Sequence, residues 1–213
     1  LLTALKAEYP ESETIQLDLG AALLSAGKAE DAEAIFQSLS DGSPTAAVAA
    51  RMGLIDVYRV QGRIEELVTQ FAKLAEERPE DAGIKLGYGR SLLLADRHEE
   101  AEAVAREVLE ADPESGWANY IVGYSKTHAG AFDEAKAFLE QAARSLPEEA
   151  DVKALLEYAA SGGTATPDKQ ASVATGSMTA EKSNTWRDLW KQAALNTLLA
   201  NRDLYIAESG DAA

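Results

Sequence analysis

What the sequence lacks already excludes several kinds of protein. It contains no cysteine, which excludes disulfides, zinc–thiolate sites and thiol chemistry. No apolar run approaches the ~18–20 residues of a transmembrane helix, so we expect no direct membrane insertion. Strand-like alternation of β-branched residues is also missing, whereas alanine, leucine and glutamate, all good helix formers, dominate the chain. These features favour an almost wholly helical, all-α protein.

Positive charge is scarce as well. The 213 residues carry 20 basic and 36 acidic side chains, which gives a formal net charge of −16. A nucleic-acid-binding protein would be expected to show a basic face, because phosphate contacts supply much of its affinity. No such face is visible, so we expect neither nucleic acid nor anionic membrane as a partner. Almost all of the acidic excess lies in residues 1–160, where it indicates a solvated surface.

Residue types that carry catalysis or bind metals form no recognisable motif. The only two histidines, His98 and His128, have no partner at the spacing of a helical metal-binding motif and are interpreted as surface or groove residues. Adjacent acidic pairs such as Glu99 and Glu100 do not face each other on a helix, which argues against paired-carboxylate catalysis. We therefore expect no enzymatic activity, no cofactor and no metal site.

Five of the six prolines recur with a period of about 34 residues, which is typical of stacked helical repeats. They occupy positions 10, 44, 79, 113 and 147, and only Pro167 lies outside the pattern. Aligned on this period, the chain begins with a partial repeat at 1–12. The full repeats that follow are 13–46, 48–81, 82–115 and 116–149.

Corresponding positions of the four repeats carry similar residues. A small position in the first helix permits close packing, and the predicted turn has residues that tolerate a positive φ. The second helix has a position where the paired helices touch, followed by one that packs against the next repeat. In that order the four sets are Gly20, Ile55, Gly89 and Gly123; Gly27, Gly62, Asp96 and Gly130; Ala32, Leu67, Ala101 and Ala135; and Phe36, Phe71, Ala105 and Leu139.

This pattern resembles the tetratricopeptide repeat family over residues 1–160. The resemblance implies a right-handed superhelical solenoid of helix–turn–helix repeats that ends in a capping helix at 150–160. Ile55 and Asp96 replace glycines, and Ala105 replaces a bulky residue, so we expect somewhat looser packing in the second and third repeats. The resemblance also implies a non-catalytic scaffold or adaptor whose partner is a protein or peptide.

The first helices of such repeats line a concave groove. Family members that clamp an acidic C-terminal peptide use lysine, asparagine and arginine there, but this sequence offers only two arginines beside two aspartates, so that interpretation fails. An apolar groove with an aromatic wall suits an amphipathic helix instead; ordinary packing between repeats is the alternative, above all for Trp117. The predicted groove residues are Leu17, Asp18, Leu24, Met52, Asp56, Arg59, Leu86, Arg90, Leu93, Trp117, Tyr120, Tyr124 and His128.

After residue 160 the composition changes. Residues 161–183 are small, polar and aperiodic, which predicts a flexible linker. Residues 184–208 regain a helical period, and the apolar face of this predicted amphipathic helix needs a partner to be covered. We expect it to dock in the groove in cis, or in a second copy to give a dimer. Its predicted anchors are Trp186, Leu189, Trp190, Leu198 and Leu199.

Two questions about the chain stay open at this point. Gly176, Ser177 and Met178 resemble a cloning joint followed by a start methionine, so 178–213 is either native or a fused partner peptide. Leu1 lies inside an expected helix, so we expect a trimmed N-terminus from which a targeting segment could have been removed. The second hypothesis is a regulatory or docking module of a larger bacterial enzyme or envelope, secretion or polysaccharide-export assembly, in the cytoplasm or periplasm.

Overall fold

The structure is a computed structural model that describes residues 11–164. Most of the partial repeat 1–12, the linker beyond Thr164 and the helix predicted at 184–208, including all of its anchors, lie outside the described residues. The described part of the chain is helical and contains no strand. None of its helices is long and apolar enough to span a bilayer.

The first of two compact units, Leu1–Glu80, contains two helix pairs in its described part. Ser12 caps the first helix, because its Oγ accepts a hydrogen bond from the Ile15 N–H at 3.4 Å. The helices are α1 (Glu13–Ser25), α2 (Ala29–Leu39), α3 (Pro44–Gln61) and α4 (Ile64–Glu77).

The start of α3 differs from the alignment of the repeats. The alignment placed Pro44 at the end of repeat 13–46, with the next repeat beginning at 48, whereas Pro44 is the first residue of α3. Ser43 caps this helix by accepting a hydrogen bond from the Ala46 N–H at 3.3 Å. Proline is favoured at the first position of a helix, because an N–H at that position would have no hydrogen-bond partner within the helix. The serine–proline pair therefore adds a turn to the front of this helix.

The second unit, Asp81–Ala213, contains two further helix pairs and a single last helix in its described part. Asp81 begins it as an N-cap, with its carboxylate accepting a hydrogen bond from the Ile84 N–H at 3.0 Å. The last helix coincides with the predicted capping helix at 150–160. The helices are α5 (Ala82–Leu94), α6 (His98–Ala111), α7 (Gly116–His128), α8 (Phe132–Ser145) and α9 (Ala150–Ala160).

The turns inside the helix pairs have the backbone conformation that the sequence predicts. Gly27, Gly62 and Gly130 have φ values of 74°, 68° and 76°, and Asp96 has a φ of 59°. After α7, the Ala131 N–H donates to the Lys126 carbonyl at 2.9 Å, which closes the helix end. An aspartate tolerates this left-handed conformation better than most side chains, so the departure at position 96 leaves the turn intact.

Residues that the alignment placed between paired helices form the core of each unit. Ala32, Leu67, Ala101 and Ala135 are all 0% exposed. Phe36 fills the space between three helices of the first unit: a Cβ built on Gly20 would lie 2.7 Å from its ring, and one built on Gly53 would lie 2.5 Å from it. Gly53 therefore makes the close approach to Phe36 in the second repeat, whereas the alignment assigns the small position of this repeat to residue 55, which is an isoleucine.

We expect Gly130→Ala to lower the free energy of unfolding by about 1–2 kcal/mol, because an L side chain is disfavoured at this φ. No neighbouring atom lies within 4 Å of the added Cβ, so the cost comes from the backbone alone. Asp96→Ala is the matched control and changes stability by less, since Asp96 already carries a Cβ in the same conformation. Urea denaturation measures both, and an equal loss in the two variants contradicts this explanation.

We expect Gly53→Ala to lower the free energy of unfolding by about 1–3 kcal/mol, because its methyl group overlaps the Phe36 ring. A glycine-to-alanine change within a helix otherwise stabilises the protein by about 0.5–1 kcal/mol. A loss of stability would therefore indicate a steric overlap. In a Phe36→Leu background the ring is absent and the penalty shrinks. An unchanged penalty in that background, measured by thermal or urea unfolding, would rule out the close approach as its cause.

Candidate functional site

The predicted groove residues of the first unit differ in their exposure. Leu17, Leu24, Met52 and Asp56 are half-buried, and Asp18 is exposed. Arg59 is buried, and one of its terminal nitrogens forms an ion pair with the Asp56 carboxylate one turn earlier in α3. Its Nη1 is also buried and makes no hydrogen bond to a described residue. Arg59 therefore belongs to the packing of the unit more than to an accessible groove.

In the second unit, α7 carries three aromatic side chains along one side, which we call the aromatic row: Trp117, Tyr120 and Tyr124. The Trp117 and Tyr120 rings are 5.7 Å apart between centroids and meet edge to face at 84°. The Tyr120 and Tyr124 rings follow at 6.2 Å. Spacings of three and four residues bring these side chains onto one face of the helix, as the sequence predicts.

Arg90 of α5 holds one end of the aromatic row. Its guanidinium carbon lies 4.4 Å from the centre of the Trp117 ring, which is the geometry of a cation–π contact. Arg90 is only 6% exposed, so this contact is shielded from water. The predicted role of Arg90 as a groove residue thus changes, because Arg90 packs against the indole of Trp117 and is almost inaccessible to a partner.

Burial separates the remaining predicted residues into two groups. Leu93 and Tyr120 are buried, as is Arg90, and these three side chains pack within the unit. Leu86, Trp117, Tyr124 and His128 are half-buried or exposed and remain accessible. The accessible part of the site is therefore smaller than the sequence predicts. It consists of aromatic and apolar side chains supported by buried ones.

The first turn of α9 adds negative charge near Tyr120 and Arg90, which sequence reasoning missed. Burial raises the pKa of the Tyr120 hydroxyl well above its usual range, and the charge of Asp151 raises it further. Burial also raises the pKa of the Asp151 carboxyl; Glu149 adds to this effect and Arg90 opposes it. Asp151 was recognisable in the sequence, because it follows Trp117 by one repeat period and occupies the equivalent helix position.

The two histidines meet at the other end of the aromatic row. The His98 and His128 rings are 3.7 Å apart between centroids and tilted by 32°, and the His98 ring lies 5.8 Å from that of Tyr124. The Asp96 carboxylate is 3.9 Å from the His98 Nε2. Spacing along the chain gave no sign of this contact, because it joins the start of α6 to the end of α7.

Stacked imidazoles are poorly arranged to bind one metal ion, because their nitrogen lone pairs lie in the ring planes and do not converge. Within residues 11–164, no three histidine or carboxylate side chains are grouped as a metal site would require. The neighbouring depression of about 400 Å³ is open and mostly charged, unlike the apolar pockets that enclose small ligands. Its lining residues are Asp96, Arg97, His98, Glu99, Glu100, Glu102, Ser125, His128 and Ala129.

We expect Asp151→Asn to raise the free energy of unfolding at pH 7. Because burial raises the folded-state pKa of Asp151, the folded protein binds this proton more tightly than the unfolded chain does. Stability from this group is therefore present at low pH and is lost as the pH rises from the ordinary carboxyl pKa of about 3.9 through the raised folded value. The variant removes that loss, so the free energies of unfolding of the two proteins become equal at pH values below the ordinary carboxyl pKa.

Glu148→Gln is the matched control for this variant, because Glu148 is an exposed carboxylate just before the same helix. This variant removes a charge near the α9 N-terminus, but Glu148 is exposed and its charge carries no cost of burial. We therefore expect no gain in stability. Urea titrations of the three proteins between acid and neutral pH give the comparison. A gain for Glu148→Gln equal to that for Asp151→Asn would show that burial of Asp151 is not the cause.

Comparison with known proteins agrees with the helix pairs. The Tetratricopeptide repeat profile matches residues 1–47 and 52–116, more than half of the chain. No curated protein sequence matches. Among solved structures, the MamA RS-1 ArsTM double mutant is 17% identical with a TM-score of 0.62, covering 91% of this chain and 97% of that one.

Another similar structure, YrrB, is described as a TPR protein with an unusual peptide-binding site. It is 20% identical with a TM-score of 0.59, covering 76% of this chain and 84% of that one. At such identities the likeness concerns the fold alone, and it confirms the predicted all-α solenoid class. The chain therefore belongs to the tetratricopeptide repeat family.

Proposed function

We propose that this protein is a non-catalytic scaffold whose second unit binds an amphipathic helix along the aromatic row. The observation that carries the proposal is Trp117, a large aromatic side chain that is only half-buried although Arg90 and Tyr120 contact its ring. A rigid, accessible aromatic loses little conformational entropy when a partner covers it, and such residues tend to dominate binding energies.

The spacing of the accessible side chains favours a helical ligand. Trp117 and Tyr124 are seven residues apart on α7, which corresponds to about 10.5 Å along the helix axis. A bound amphipathic helix presents apolar anchors at the same interval, from position i to i+7. Leu86 of α5 and His128 at the end of α7 extend the accessible surface on which such a helix would lie.

The sequence of this chain supplies a suitable ligand in residues 184–208. Its predicted anchors Trp186 and Trp190 are one turn apart, and leucines at 189, 198 and 199 complete the set. The segment acts in cis, in a second copy of the chain, or as the equivalent of a separate partner. YrrB is described as having a peptide-binding site, which supports a peptide as the ligand of the same fold.

We expect Trp117→Ala to weaken binding of a synthetic 184–208 peptide at least tenfold, as for a residue whose truncation costs more than about 1.4 kcal/mol. The measurement is fluorescence anisotropy of the labelled peptide on the full chain carrying Trp186→Ala and Trp190→Ala, so that its own segment does not compete.

Phe138→Ala is the matched control. Phe138 is another half-buried aromatic ring with an arginine beside it, since the Arg106 guanidinium lies 5.4 Å from its centre, but it belongs to α8. We expect this variant to bind the peptide as its parent does. Equal losses in the Trp117 and Phe138 variants, or no binding to the parent, would contradict the proposed site.

A further inference from the structure

The position where the described chain ends determines which surfaces the following segment reaches. After α9 the chain turns through Gly162 and Gly163, both at positive φ. The Gly163 N–H donates to the Tyr158 carbonyl at 3.0 Å, and a Cβ on Gly163 would lie 2.5 Å from the Phe132 ring. Phe132 and Tyr158 themselves meet edge to face at 6.0 Å. The chain therefore leaves the second unit packed against the first residue of α8.

This exit point is close to one end of the aromatic row. Phe132 begins α8 just after α7 ends at His128, and α7 has 13 residues, a length of about 20 Å. Residues 165 to 183 separate the exit point from the segment, and a Gly/Ser-type linker of that length spans about 24 Å on average. The tether is thus long enough to bring Trp186 from the exit point to Trp117 at the far end of α7.

Charges at that far end complement the first part of the segment. The charges of Glu149 and Asp151 act on Tyr120, and the charges of Glu149 and Arg90 act on Asp151, so these groups lie near one another. In the segment, Arg187 directly follows Trp186, and Lys191 directly follows Trp190. A tryptophan docked beside Trp117 would bring its neighbouring cation within reach of these carboxylates, where opposite charges favour binding and orientation.

We propose that residues 184–208 of the same chain cover the aromatic row in the resting protein, with Trp186 against Trp117, with Trp190 one turn further along the row towards Tyr124, and with Arg187 and Lys191 facing Glu149 and Asp151. This inference rests on the proposed function, and it makes the scaffold self-occupied. A tether of this length gives an effective concentration around the millimolar range. An external helix then binds only when it outcompetes the internal one, which regulates access to the site.

The test compares the full chain with its Trp186→Ala, Trp190→Ala variant, using the labelled 184–208 peptide as the probe. We expect the wild-type chain to bind the peptide at least tenfold more weakly than the variant, at every protein concentration. Both substitutions lie outside the packed helices of residues 11–164, so neither disturbs the site itself.

The other outcomes separate the inference from the proposed function. Equal and measurable binding by both chains contradicts self-occupancy but agrees with the proposed binding site. Binding by neither chain overturns both. Weak binding by the wild type that recovers on dilution, together with a dimer in light scattering, means that a second copy is the occupant and overturns occupancy in cis.

The charge contacts have a test of their own in the same assay. We expect the double variant Arg187→Glu, Lys191→Glu to bind the external peptide at least threefold more tightly than the wild-type chain does. We expect Asp151→Asn to reduce that difference, because it removes one of the facing carboxylates. Arg202→Glu, further along the segment, is the control and leaves the affinity unchanged. Release of equal size by Arg202→Glu would contradict the proposed orientation.

Discussion

The stacking of Arg90 on Trp117 is the interaction on which the binding face of the second unit depends. It joins α5 to α7 at 4.4 Å and places a buried positive charge against the indole of the half-buried Trp117. Without this support the tryptophan would sample several rotamers, and a partner would have to fix one of them on binding. The same charge opposes the rise in the pKa of Asp151, so the support of the aromatic ring and the acidity beside it are connected.

The helix pairs deliver these side chains to one place because each pair reverses direction at a residue with positive φ. That requirement concerns one backbone position at a time, so the residue type at that position indicates the turn. Gly130 and also Asp96 are identifiable in this way. The fully buried contacts at Ala101 and Ala135 were equally predictable, since they follow from the period of the repeat and the small size of the residue. Fold class and turn positions therefore came from local rules.

The features that sequence reasoning missed arise where side chains from different helices meet. His98 and His128 stack because α6 packs on α7, and no spacing along one helix encodes that contact. Tyr120 is buried, and besides this burial the charge of Asp151 in α9 raises its pKa, an effect that the spacing within α7 does not encode. The early start of α3 does not follow from the proline period, because a proline is as well suited to begin a helix as to follow the end of one.

The most direct test of self-occupancy uses the three tryptophans of the chain as probes. Replacing them with 5-fluorotryptophan gives one fluorine resonance each, and a Trp117→Phe variant assigns the signal of the aromatic row. We expect the Trp117 resonance to move when Trp186 and Trp190 are changed to alanine, because its neighbour is removed. A Trp117 resonance at the same position in both proteins would contradict the account.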